Sequence, residues 1–152
     1  MMKTIKHFEF TGKTKKLKDG IVLKQIKANK NLPMHNIKKG DVGGWIEKEE
    51  NLSGNAWISG DAIVSGNTKV SGNAWIYGNA WLYGNAIVSG KAWIYGNARV
   101  FGYARVSGNS IVSGNVWVSG NAWISGNAWI SGNARISEDA QVSGNTWVSG
   151  NS

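Results

Sequence analysis

The 152-residue chain contains no cysteine, one proline and two histidines. Without cysteine there is no disulfide framework, no thiol nucleophile and no Cys-ligated metal or iron–sulfur site. His7 and His35 alone leave little for an imidazole metal site, so no metal or cofactor is expected. The longest apolar runs span only a few residues, far short of a membrane span. The opening residues, MMKTIKHFEF, lack the apolar core of a secretory signal. These absences make a cytoplasmic protein with no membrane association the expectation. No GxxxxGK[ST] or GxGxxG phosphate loop occurs either.

Charge is unevenly spread. Residues 1–50 hold 12 Lys and no Arg against 6 acids, whereas residues 51–152 hold 2 Lys and 3 Arg against 3 acids. The net +8 therefore belongs mostly to the first third of the chain. Lys13, Lys15, Lys16 and Lys18 are expected at the tip of a solvated hairpin that favours solubility. Phosphate contact is the alternative, weakened because no arginine accompanies them for bidentate pairing.

What the chain has in plenty is glycine, 21 residues, and tryptophan, 9 residues. From Leu52 to Val148 an aliphatic residue recurs every six positions, in 17 hexads without an insertion. Four residues after each aliphatic stands a small residue, usually Ala, with Val116 the bulky exception. Between them lies a Gly-Asn pair. Gly fills its slot in 16 of 17 hexads, Glu138 being the exception, and Asn or Asp follows in 15 of 17, Lys91 and Tyr103 being the exceptions. A hexad such as Ala-Trp-Ile-Ser-Gly-Asn reads as four strand residues and a corner. Strand side chains alternate, so Ala and Ile share one face and Trp and Ser the other. Gly-Asn tolerates the positive φ that a sharp corner needs.

One hexad cannot bury its Ala/Ile face; stacked hexads can. A period of six does not match the 3.6 of a helix, and a Gly every six residues would break one. The fold class expected is all-β, a single-stranded parallel β-helix. The division expected is a β-rich N-terminal cap over 1–50 and a solenoid over 51–152.

If three hexads close one triangular coil, residues 18 apart stack on one face. The outward slot before each aliphatic then places Trp57, Trp75, Trp93, Ile111, Trp129 and Trp147 together, with Tyr77 and Tyr95 in the neighbouring slot. Ile63, Trp81, Arg99, Trp117 and Arg135 fall on a second face, and Lys69, Ile87, Arg105, Trp123 and Gln141 on a third. Exposed Trp and Tyr in a row form an apolar patch of several hundred Å2, large for a monomer.

In the leader, residues 5–11 and 20–28 read as strands with a Lys-rich turn ending at Asp19-Gly20, followed by a loop over 31–36. Trp45 and Ile46 are expected to cover the open core of the first coil, and His7 and His35 to lie on the surface. The last repeats, ending Ser149-Gly150-Asn151-Ser152, are expected to leave an open coil through Val142, Thr146 and Val148, an edge that invites pairing with another chain.

The pattern aliphatic–x–Gly–Asn–small–x, as in Ile58-Ser59-Gly60-Asp61-Ala62-Ile63, resembles the hexapeptide repeat of the left-handed β-helix superfamily. The resemblance covers residues 51–152 and implies triangular coils of 18 residues wound left-handed; right-handed β-helices are the alternative, since periodicity does not set the hand. The leader with Gly43-Gly44-Trp45 resembles that of uncharacterised bacterial and phage-encoded hexapeptide-repeat proteins. Many members of the superfamily are acyltransferases that use a His in or near the solenoid and loops that interrupt the coils. Residues 51–152 contain neither, and Glu138-Asp139 reads as a lapsed corner rather than an acid/base pair.

No enzyme is therefore expected, and no catalytic, cofactor-binding or metal-binding residue. The function expected is a structural or interaction module, a homo-oligomer or the binder of a protein partner, cytoplasmic or, if phage-encoded, virion-associated. Its contact face would comprise Trp57, Trp75, Tyr77, Trp93, Tyr95, Trp129 and Trp147. Nucleic-acid binding through the Lys-rich hairpin and a degenerate acyltransferase are the alternatives.

Overall fold

A computed structural model describes residues 6–149; Ile5 of the first expected strand and positions 150–152 of the last repeat lie outside the described residues. Sixteen two-residue strands follow one another at six-residue spacing, from Trp57–Ile58 to Trp147–Val148. They stack in parallel with residue i opposite i+18: Trp75 on Trp93, Ile76 on Ile94, Arg99 on Trp117, Arg105 on Trp123. Three successive hexads thus make one coil, and the protein is an all-β solenoid of about six coils stacked at the ~4.8 Å spacing of β-strands. Backbone hydrogen bonds run from coil to coil. Trp75 N–H donates to the Ala92 carbonyl at 2.9 Å, Tyr77 N–H to Ile94 at 3.0 Å and Asn79 N–H to Gly96 at 2.8 Å.

The alternation expected of each hexad holds. Aliphatics from Leu52 to Ile130 and the alanines between them are buried in one continuous core. Each buried Val or Ile contributes about 1.5–3 kcal/mol. The corner glycines adopt φ of +64° to +77°. The asparagines that follow do not share that conformation, contrary to the expectation that the pair tolerates it together. Their role is to hydrogen-bond to one another from coil to coil.

At the N-terminal end, β1 (Phe8–Lys16) and β2 (Val22–Ala28) form an antiparallel hairpin, and β2 pairs with β3 (Val42–Ile46). β1 runs further than the sequence suggests. The register shifts between Phe10 and Thr14, around Gly12 at φ +100°, and then Thr14, Lys15 and Lys16 pair with Lys24, Leu23 and Val22. The lysines read as a turn therefore lie mostly on an edge strand, a usual place for Lys because charge discourages pairing with other chains. The turn itself is confined to Leu17–Gly20, closed by a bond from Gly20 N–H to the Leu17 carbonyl at 2.9 Å.

β3 already obeys the coil register: it pairs in parallel with the strand Ile63–Val64, Trp45 opposite Ile63 and Ile46 opposite Val64. The coil geometry thus begins one hexad before the repeat is legible. Asn51 closes this first corner without a Gly-Asn pair. Its buried side chain donates to the Gly66 and Thr68 carbonyls and accepts from the amides of Glu47 and Lys48, the last at 2.9 Å.

Candidate functional site

The solenoid has three sheets with different outer surfaces. The first, a six-stranded sheet, carries Trp57, Trp75, Trp93, Ile111, Trp129 and Trp147 in one column, as the 18-residue register requires. The column is not uniformly exposed. Trp93 is 40%, Trp129 39% and Trp147 75% exposed. Trp75 is half-buried, against the ring of His35 at 5.4 Å, Tyr77 at 4.7 Å and Trp93 at 5.8 Å. Tyr77 and Tyr95 are half-buried and stack face to face at 4.7 Å, and the burial of Tyr77, with Tyr95 beside it, raises its phenol pKa. Trp129 and Trp147 meet edge to face at 5.0 Å and line a hollow with Ser131 and Ser149. A second hollow lies between Met34 and His35 of the leader and Lys91 and Trp93.

Trp57 does not belong to this surface. It is fully buried, because the leader folds over the first coil: a Cβ at Gly43 would stand 2.7 Å from its Cζ2, and the His7 ring meets it edge-on at 6.4 Å. The open core is covered by Phe8, Ile26, Ala28 and Leu32. Of the two residues expected to cover it, Ile46 is buried as part of the first coil, while Trp45 stands outside on the second sheet, with the Lys15 ammonium 5.0 Å from its ring.

The histidines correct a second expectation, for both are buried. The Nε2–H of His7 donates to the Ala56 carbonyl at 2.7 Å, and that of His35 to the Asn55 carbonyl at 3.0 Å. They tie the leader to the first Gly-Asn corner, and each bond holds the ring proton on Nε2. Nδ1 of His35 is buried without a partner, so a proton placed there would have no acceptor. Burial lowers both pKa values, outweighing the carbonyl bonds that raise them; Lys30 and Lys6 lower that of His7 further. The unfolded imidazole titrates near about 6.5, so below that pH the unfolded chain binds more protons than the folded one. Stability of the leader is thus full above pH ~6.5 and falls as pH drops below it toward the folded pKa values. Thermal melts at neutral and mildly acidic pH check this: the wild type should lose stability on acidification, and a His7→Gln/His35→Gln variant should lose less.

The second sheet continues from the hairpin through β3 into the solenoid, giving eight strands in one surface. Along it cations and rings alternate. The Arg99 guanidinium lies 5.3 Å from the Trp81 ring and 5.8 Å from Trp117, and Arg135 lies 4.6 Å from Trp117. On the third sheet Arg105 lies 5.8 Å from Trp123. None of the three arginines forms an ion pair with a described carboxylate; the pair between described residues is Lys27–Glu9 at 3.7 Å. The sequence placed these residues on their faces but not the stacking between them.

The corners carry amide ladders that sequence reasoning also missed. Asn79, Asn97, Asn115 and Asn133 bond in series at 3.1–3.4 Å, and Asn109, Asn127 and Asn145 at 3.0–3.2 Å. The signal available was the 18-residue spacing of an amide that can both donate and accept. On the corner between the second and third sheets, Asn67 bonds Asn85 and Asn121 bonds Asp139, but Tyr103 interrupts the run.

At the far end, Val142 and Val148 are half-buried and Thr146 is exposed, its hydroxyl donating to the Ser143 carbonyl at 2.6 Å. No group of three or more His, Asp or Glu that could hold a metal occurs among the described residues. No helix among them is long and apolar enough to cross a membrane.

A family model described as the YdcK beta solenoid repeat matches residues 92–108, 104–120 and 128–144. Each window starts on an alanine of the small-residue slot and spans 17 residues, one short of a coil. The match and the stacked strands agree on a repeat β-helix protein. Comparison with curated proteins finds no match.

Proposed function

We propose that the protein is a rigid, non-catalytic interaction module that binds a second copy of itself, or another protein, through the surface of the Trp93–Trp147 sheet. The observation that carries this reading is the column of Trp93, Trp129 and Trp147, all exposed on a single sheet whose backbone cannot rearrange to bury them. Each indole offers 150–250 Å2 of apolar surface (roughly) on a side chain with few rotors, which is why Trp concentrates at binding hot spots. The face is narrower than the sequence implied, since Trp57 is covered and Trp75 supports the leader. The contact residues are Trp93, Tyr95, Trp129 and Trp147, with Tyr77 as support.

We also propose that the solenoid belongs with the hexapeptide-repeat class, on its six-residue period, small-residue slot and Gly-Asn corners; the left hand is what that resemblance implies. The absence of catalysis in this reading draws on the repeats themselves, since residues 51–152 contain no histidine and no inserted loop.

Sedimentation velocity over a wide concentration range tests the reading. The wild type should associate reversibly, and Trp93→Ser/Trp129→Ser should shift association by at least about 30-fold, the effect of losing a hot spot. Trp75→Ser is the wrong variant, because it removes packing from His35. If the wild type stays monomeric, association through this face is excluded, and a foreign protein becomes the occupant to seek with the same variant as control.

A further inference from the structure

The one aromatic residue that breaks a structural pattern is Tyr103. It occupies an Asn slot, interrupts the amide ladder between Asn85 and Asn121, and is 64% exposed. It stacks on no other ring among the described residues, unlike Tyr77, Tyr83 and Tyr95. The fold gains nothing visible from it and loses two links of the ladder. Its neighbours are cationic. Arg99 lies on the strand before this corner and Arg105 on the strand after it, both exposed. Each guanidinium rests on an indole. A guanidinium beside an indole still has N–H groups that can form bidentate bonds to an oxyanion. Exposed Lys69 lies two coils from Arg105 toward the hairpin, on the same sheet. The acids of this corner, Glu138 and Asp139, lie two coils away in the other direction and mark where the basic stretch ends.

We propose that this corner binds single-stranded nucleic acid, with Tyr103 stacking on a base and Arg99 and Arg105 holding the flanking phosphates. An exposed ring at a corner whose two adjoining strands each carry an exposed arginine matches both parts of such a strand, whereas an acidic peptide offers carboxylates but no regular π-face. The contacts are to backbone charge and to the face of any base, so recognition is independent of sequence. The site is separate from the Trp93–Trp147 sheet and does not depend on it.

Fluorescence anisotropy of a labelled oligothymidylate 12-mer tests the proposal. The wild type should bind, with affinity falling steeply as salt rises. Tyr103→Asn should lower affinity about 5- to 100-fold, the value of one stacked base, while its melting midpoint holds or rises because the amide ladder is rejoined. Tyr103→Phe, which keeps the ring, should retain most of the affinity. Arg99→Ala/Arg105→Ala should reduce the slope of log affinity against log salt by about 1.4, or ~0.7 per phosphate contact. No binding at low salt, an unchanged affinity in Tyr103→Asn, or equal competition by polyglutamate of the same charge would each overturn it.

Discussion

Gly90→Ala is expected to lower the unfolding free energy by about 3 kcal/mol or more. Two costs combine. Gly90 has φ +69°, where an L-residue pays about 1–2 kcal/mol. Its added Cβ would also lie 2.8 Å from both the amide nitrogen and the carbonyl oxygen of Gly108 in the next coil. Those atoms are backbone, so relief requires moving a coil. Overpacking of this kind costs typically 1–3 kcal/mol. Gly144 provides the control, with φ +70° but nothing within 4 Å of the added methyl. Gly144→Ala should therefore pay the conformational cost alone. Urea melts of the two variants measure the difference, and equal losses would remove coil stacking as the reason for glycine. Glu138 fits this division: it is a non-glycine at φ +56° in the glycine slot, and no described residue stands 18 positions further on to stack against it.

Gly43→Ala is the second variant with a large expected effect. Gly43 is buried where the leader crosses the first coil, and a Cβ there would lie 2.5 Å from the Ile58 carbonyl oxygen, 2.7 Å from Trp57 Cζ2 and 2.9 Å from Ile26 Cγ1. Neither the carbonyl nor the enclosed indole can retreat. The leader should lift from the coil at a cost of about 2–4 kcal/mol, uncovering Trp57. The readouts are a red-shifted tryptophan emission and faster amide exchange in β2 and β3. Gly40→Ala is the comparison, at φ +94° with open space around it, and should leave Trp57 covered. Gly44 is constrained in the same way, 2.7 Å from Ile58 Cγ2 and 2.8 Å from the Ala62 carbonyl oxygen. The Gly-Gly-Trp leader is thus a close-approach element.

The solenoid was legible because its period is enforced by stacking: Ile76, Ile94, Val112 and Ile130 must each cover the next, so the sequence repeats what the geometry repeats. The column of indoles followed from the same arithmetic. What could not be read were contacts between parts that do not repeat. Trp57 looks like Trp75 in sequence, and only the fold of the leader buries it. His7 and His35 are polar residues in a lysine-rich segment, with no period to mark them as internal. Their partners are backbone carbonyls 49 and 20 residues away. The arginine–indole stacking is a further case, because the faces were assignable but the rotamers were not. Tyr103 was visible as an exception to the Asn slot, yet its meaning depends on the ladder that it interrupts.

The count of eighteen residues per coil underlies both proposed binding surfaces, and the cysteine-free chain allows it to be measured cleanly. Paired nitroxide labels at Ser107→Cys and Ser125→Cys directly follow the paired strands Arg105–Val106 and Trp123–Ile124, whose backbones lie ~4.8 Å apart. Their continuous-wave spectrum should be strongly broadened by dipolar coupling. Labels at Ser107→Cys and Ser119→Cys, twelve residues apart, fall on different sheets and should give the sum of the two single-label spectra. Broadening in the second pair but not the first would contradict the stacked register, and with it the alignment of Trp93, Trp129 and Trp147.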